Sequence, residues 1–176
     1  MNIKHTLSRF LKPPILVTAV YMLKHRVMVS PRAEVELSKN TEIGKGTVIS
    51  SFTQVKTTGG GRLKIGARVN IGIGAHIVAG PGDVTIGDDS LISQNVCVEG
   101  INYRYDRLDL PFNAQEQTSK GITIEHNVWI GANCVILDGS VIEAGSIITP
   151  GSVVSGKILA NTIASGNPAK KIFARR

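Results

Sequence analysis

The chain has 176 residues, of which 42% are hydrophobic and only 5% aromatic, and it carries a formal charge of +7. That length fits one domain, and the basic charge comes without a reading helix, zinc module or RNA-stacking motif, which excludes the usual nucleic-acid-binding classes. The two cysteines, Cys97 and Cys134, form neither a CxxC pair nor a disulfide framework, so a reducing cytoplasm is the expected setting.

Residues 1–33 form the first segment, with six Lys/Arg (Lys4, Arg9, Lys12, Lys24, Arg26, Arg32) and no acid. Within it the apolar run from Ile15 to Leu23 lies between Lys12 and Lys24. A bilayer span needs about 20 apolar residues, and Pro13-Pro14 interrupts any long helix. No small-residue cleavage site follows, as a secretory signal would require. The expectation is a basic amphipathic segment with two open alternatives. It either rests on an anionic membrane face from the cytoplasmic side or packs on the end of the next element, covering open strand edges.

From 34 to 165 aliphatic residues recur every six positions: Ile65, Ile71, Ile77; Ile86, Ile92, Val98; Ile124, Ile130, Ile136, Ile142, Ile148, Val154. Two residues before these anchors come small or β-branched side chains such as Val69, Ala75, Ser90, Val96, Val128, Cys134, Ser140, Ser146 and Ser152. Three residues after them Gly or Asn dominates (Gly74, Asn95, Asn127, Asn133, Gly139, Gly145, Gly151), residues that tolerate a positive φ. A period of six fits neither an amphipathic helix nor a long alternating strand, but it fits a short strand plus a corner, repeated. The all-β fold expected is a parallel solenoid with three flat sides per coil. Anchors point inward and 43/49/55, 65/71/77, 86/92/98, 124/130/136 and 142/148/154 stack as coils. Cys134 then fills a small inward slot.

The rhythm stops for long only over the inserted loop 99–121. A loop of this length in a compact domain is usually functional or disordered, and Tyr103, Tyr105 and Phe112 within it argue against disorder. A smaller break, Ala79 to Asp83, turns one coil into the next. Residues 166–176 hold Lys170, Lys171, Arg175 and Arg176 and are expected to form a short basic helix, with Asn167 as cap and Pro168 as first residue.

The hexads, the Val128-Trp-Ile-Gly131 segment, the Gly151-Ser-Val-Val154 coil and the closing Gly166-Asn-Pro-Ala-Lys170 together resemble the hexapeptide-repeat acyltransferases. The similarity is to the maltose/galactoside and capsule or colanic-acid O-acetyltransferase branch and covers roughly 35–176. It implies a left-handed parallel β-helix, a cytoplasmic homotrimer, and acetyl-CoA as co-substrate in the groove between subunits. It also implies a sugar or surface-polysaccharide precursor as acceptor, small or lipid-linked, and no metal. Handedness rests on the resemblance alone, since left-handed crossovers run against the general rule.

Acyl transfer from a thioester to a hydroxyl needs a base for the hydroxyl proton and donors for the oxyanion. In similar enzymes the base is a loop histidine within Asn-His-x-aromatic-Asp. Here the pattern is Asn102-Tyr103-Arg104-Tyr105-Asp106, with Tyr103 in the histidine's slot. A free tyrosine is ionised only about one part in a thousand at neutral pH, whereas histidine titrates near neutrality. His76 directly precedes Ile77 as Cys97 precedes Val98, so the two should stack one strand apart on the face from which the loop departs. His76 is the substitute base candidate and Tyr103 the second catalytic candidate. His126, at a corner, is expected to be structural. Matching the family gives Trp129, Gly131, Ala132, Ser155, Lys170, Lys171 and Arg175 toward acetyl-CoA, and Asn102, Tyr105 and Asp106 toward acceptor. Asn70, pointing outward, is a further acceptor contact. No two histidines lie close enough in sequence for a gamma-class carbonic anhydrase zinc set. The alternative from another class is a non-catalytic solenoid that binds a partner or scaffolds polysaccharide synthesis, motivated by Tyr103.

Overall fold

The computed structural model describes residues 13–175; Lys4, His5, Arg9, Lys12 and Arg176 lie outside them. A short helix, Pro14–Val20, opens with proline at a position where the missing N–H needs no partner and runs on into a π-turn, Tyr21–His25. It ends where Arg26 takes a left-handed φ of 56°. Val17, Thr18 and Tyr21 are buried, and the Tyr21 hydroxyl donates to the Glu36 carbonyl at 2.8 Å. The helix therefore packs on the first coil, as one of the two alternatives for this segment requires.

Three sheets of eight, six and six strands then wind as a parallel solenoid, with a separate two-stranded sheet in the loop. On the first face Val29, Ile49, Ile71, Ile92, Ile130, Ile148 and Ala164 stack in register. On the second the column is Val35, Val55, Ile77, Val98, Ile136, Val154. The third stacks Ile43, Ile65, Ile86, Ile124, Ile142 and Ile158. Every coil expected from the hexads is present, with a further two-sided part-coil at each end, Val29 and Val35 before and Ile158 and Ala164 after. The anchors point inward because successive strand residues alternate faces, and neighbouring strands lie about 4.8 Å apart.

Gly74, Asn95, Asn127, Asn133, Gly139, Gly145 and Gly151 all hold positive φ, as expected of corners. Phe52, Arg68 and Asp89 occupy equivalent corners at φ 60°, 56° and 58° without being Gly or Asn. The small inward positions are buried, and the hydroxyls of three of the serines are satisfied by backbone carbonyls farther along the chain. Ser90 donates to Glu125 at 3.1 Å, Ser140 to Val154 at 3.1 Å and Ser146 to Leu159 at 2.8 Å. An unpaired buried hydroxyl would instead cost about 1–3 kcal/mol.

The C-terminus corrects one expectation. Residues 169–174 form a strand, Ala169–Ala174, antiparallel to Thr162–Gly166, and not a helix. Gly166 turns the chain back at φ 101°. Ala169, Ile172 and Phe173 have helical spacing, but the first face would otherwise end in an unpaired edge, and pairing with it prevails. Asn167 accordingly caps no helix, and Pro168 opens none.

Gly121 closes the loop onto the third face at φ 87°, and a Cβ there would lie 1.9 Å from the Gly82 carbonyl oxygen. Gly121→Ala should lose at least about 2 kcal/mol in urea unfolding, from left-handed strain and backbone overlap together. An unchanged midpoint would show that the loop base is not tightly held.

Candidate functional site

The second face carries two outward columns. Glu34, Gln54, His76 and Cys97 are in register along one, and Lys56, Val78 and Glu99 along the other. Ile77 points inward, so His76 must point outward. His76 and Cys97 stack one strand apart, as their spacing predicts. The Gln54 amide donates to the Glu34 carboxylate at 2.7 Å, and His76 Nε2 lies 3.8 Å from Glu99 Oε2. That contact is too long for a hydrogen bond. Partial burial, then the nearby Lys56 cation, lower the His76 pKa, with Glu34 opposing them. The imidazole is therefore neutral at neutral pH, with a lone pair to accept a proton. Burial raises the Glu99 carboxyl against the pull of Lys56, and burial with Glu99 raises the Cys97 thiol. Cys97 is a thiol rather than a thiolate here, which makes it a poor nucleophile.

The inserted loop is an anchored hairpin. Asn102–Tyr103 pairs antiparallel with Gln117–Thr118, and the Gln117 amide donates to the Tyr103 hydroxyl at 2.9 Å. At the tip Arg104 holds Asp106, and Arg107 pairs with Asp109. Buried Gln115 donates its amide to the Arg107 and Leu110 carbonyls at 3.0 and 3.2 Å. At the base the Ser119 hydroxyl donates to Gly100 O at 2.6 Å and accepts from Gly82 N at 2.9 Å. The Asp138 carboxylate accepts from the backbone N–H groups of Lys120 and Gly121 at 2.8 Å and from the Asn102 amide at 3.4 Å. Gly100 is in register with Ala79, three residues beyond His76, so the hairpin root lies about 10 Å along the strand from the imidazole.

The residues proposed from family resemblance divide by location. Asn70 is exposed on the first face, in register with Val48 and Leu91, one corner away from His76. Asn102 is committed to Asp138, and Asp106 to Arg104. Tyr105 is open to solvent on the hairpin. Trp129 is half-exposed on the first face beside Leu91 and donates Nε1–H to Ser93 Oγ at 3.2 Å. Gly131 and Ala132 follow at the corner toward the second face. A Cβ on Gly131 would fall 2.5 Å from Pro150 N, so only glycine fits. Ser155 lies exposed past the last strand of the second face. Lys170 and Lys171 are exposed on the closing strand, while the Arg175 guanidinium donates to the Gly145 carbonyl at 3.0 Å. The single chain therefore gathers Trp129, Gly131 and Ala132, and leaves Ser155 and Arg175 elsewhere.

Sequence reasoning missed Glu99, Lys56 and Asp138. Alternation from Cys97 already points Glu99 outward beside His76, but Lys56 and Asp138 reach their places only through pairing between coils. His126 is exposed at its corner, and its backbone carbonyl accepts from Gly145 N at 3.2 Å. Among the described residues no group of three or more His, Cys, Asp or Glu could hold a metal ion.

Comparison with known proteins shows what this three-sided parallel solenoid with its protruding hairpin is similar to. The bacterial transferase hexapeptide (six repeats) family matches residues 121–156. A protein of Escherichia coli K12 named as a lipopolysaccharide biosynthesis O-acetyl transferase, WbbJ, is 31% identical over 96 residues, 51% of this chain and 49% of its own length. A protein of Dictyostelium discoideum named as an acetyltransferase is 39% identical over 89 residues, 51% of this chain and 46% of its own. The chain thus spans about half the length of the curated relatives it matches. Among solved structures, the N-acyltransferase AntD of Bacillus cereus, in complex with dTDP and coenzyme A, shares the fold. Its TM-score is 0.77 at 20% identity, over 90% of this chain and 88% of that one. The polySia specific acetyltransferase NeuO gives a TM-score of 0.59 at 28% identity, over 85% and 71%. The chain thus carries a hexapeptide-repeat match over residues 121–156 and shares the fold of these solved acyltransferases.

Proposed function

We propose that this protein transfers an acetyl group from acetyl-CoA to a hydroxyl of a sugar or surface-polysaccharide precursor, by direct attack in a ternary complex. The observation that carries it is the neutral, outward His76 on the face from which the hairpin departs. Names of relatives and complexes of structural neighbours support the same reading, since AntD binds a nucleotide and coenzyme A. The His76 imidazole accepts the acceptor hydroxyl proton as the oxygen bonds to the thioester carbonyl carbon. Collapse of the tetrahedral intermediate breaks the carbon–sulfur bond, and the departing thiolate takes the proton back. Trp129, Gly131, Ala132 and the cations Lys170 and Lys171 are the proposed CoA contacts, lysine serving as a point charge toward phosphate.

A homotrimer is part of the proposal. The outward column of the first face is Met28, Val48, Asn70, Leu91, Trp129, Ile147, Ile163 and Phe173, apolar except for Asn70. On the third face it is Glu42, Lys64, Thr85, Thr123, Val141 and Lys157. An apolar stripe of this length favours burial against another subunit, and a groove beside it would join first-face CoA contacts of one chain to the second face of the next.

Isothermal titration with CoA, followed by thiol release from acetyl-CoA in the presence of a sugar acceptor, tests this reading. Binding with acceptor-dependent release is expected, and no binding at millimolar CoA would sink it. Tyr103 in the family's histidine slot favours a second reading, a CoA-binding scaffold without transfer. Tyr103→His separates the two: a gain in transfer marks an intact site, and CoA binding with no transfer in either form marks a scaffold.

A further inference from the structure

The N-terminal helix and its π-turn use one face to close the solenoid and leave the other apolar. Val17 and Tyr21 join the core, whereas Ile15, Leu16, Met22 and Leu23 are 73%, 53%, 49% and 86% exposed. These side chains belong to a segment of uniform charge. Residues 1–33 hold six Lys/Arg and no Asp or Glu, and Lys24 and Arg26 are exposed directly after Leu23. Among the described residues no helix is long and apolar enough to cross a membrane. Exposed leucine, isoleucine and methionine beside unpaired-sign charge fit an interface between apolar and anionic media.

We propose that this end of the solenoid docks on an anionic lipid surface. Ile15, Leu16, Met22 and Leu23 enter the boundary between headgroups and acyl chains, and Lys24 and Arg26 lie over the phosphates. Charge favours lipid over a second copy of this end, because two such segments would bring only like charges together. Docking also leaves the second face free. Glu34, Gln54 and His76 occupy successive strands, so His76 stands two strand spacings, about 10 Å, from the end strand of that face.

The test is co-sedimentation of the full chain with vesicles of phosphatidylglycerol and phosphatidylcholine, against phosphatidylcholine alone, at low and high salt. Binding to the anionic vesicles is expected, with at least about tenfold loss at high salt as the charges are screened. Ile15→Glu/Leu23→Glu should lose binding by about tenfold or more, and Lys24→Glu should weaken it. Thermal midpoint and CoA binding should stay unchanged, because these side chains already face solvent. Several results would overturn the proposal. They are absence of binding to anionic vesicles, equal binding to both vesicle types, or full binding by the double variant. So would self-association abolished by Leu23→Glu with no lipid binding, which would assign the face to a second copy.

Discussion

If His76 is the base of the proposed transfer, His76→Ala should lower the rate of acyl transfer by about 10²–10⁴-fold, the usual contribution of a positioned general base, while CoA titration should give an unchanged affinity. The side chain points out of the wall, so its loss leaves Ile77 and the coil beneath intact. The pH profile separates a base from a merely structural histidine. Burial and Lys56 depress the imidazole below its ordinary value of 6.5. The competent form is the neutral one, so activity is full above that depressed pKa and is lost as pH falls through it. The acidic limb of kcat/KM should therefore lie below pH 6.5 in the native protein. It should move upward in Lys56→Gln, where a cation that disfavours the charged imidazole is gone, and vanish in His76→Ala. Transfer by His76→Ala at the native rate would assign the base elsewhere.

Ile130→Ala should cost about 2–5 kcal/mol, the range for truncating a buried aliphatic side chain that cannot be refilled. Ile130 is fully buried and in register with Ile92 below and Ile148 above, so the cavity faces two coils of fixed spacing. Ile158, 6% exposed in the last strand of the third face, has a partner on one side only. Ile158→Ala should cost clearly less, since stability in a stack is a sum of nearest-neighbour interfaces. Urea unfolding at one fixed protein concentration measures both. A terminal variant as damaging as the central one would contradict the additive stack.

The coils were legible because one physical requirement, an aliphatic side chain pointing into a narrow interior, repeats at each strand. The register of Ile65, Ile71 and Ile77 with Ile86, Ile92 and Val98 follows from it directly. Corners at Gly74 or Asn127 were legible because positive φ selects those residues. Phe52, Arg68 and Asp89 adopt the same conformation without that signature, and the outermost coils blur accordingly. The closing strand was misjudged because a cap-like Asn-Pro is a local signal, whereas the demand for pairing comes from the edge of the first face. At the site, His76 over Cys97 could be read from spacing. Lys56 lies near His76 only because successive coils pair, and Gln115 pins the hairpin tip through carbonyls that no motif announces.

The hairpin leaves and rejoins the stack without disturbing it. Val98 keeps its place beside Ile136 and Ile122 its place beside Val84, although the chain between them travels out and back. Doubling the length of such an excursion adds only about 0.6 kcal/mol of closure entropy. The insertion is therefore an exchangeable cassette. It can be lengthened while the wall that bears His76 keeps its geometry, at little cost in closure entropy.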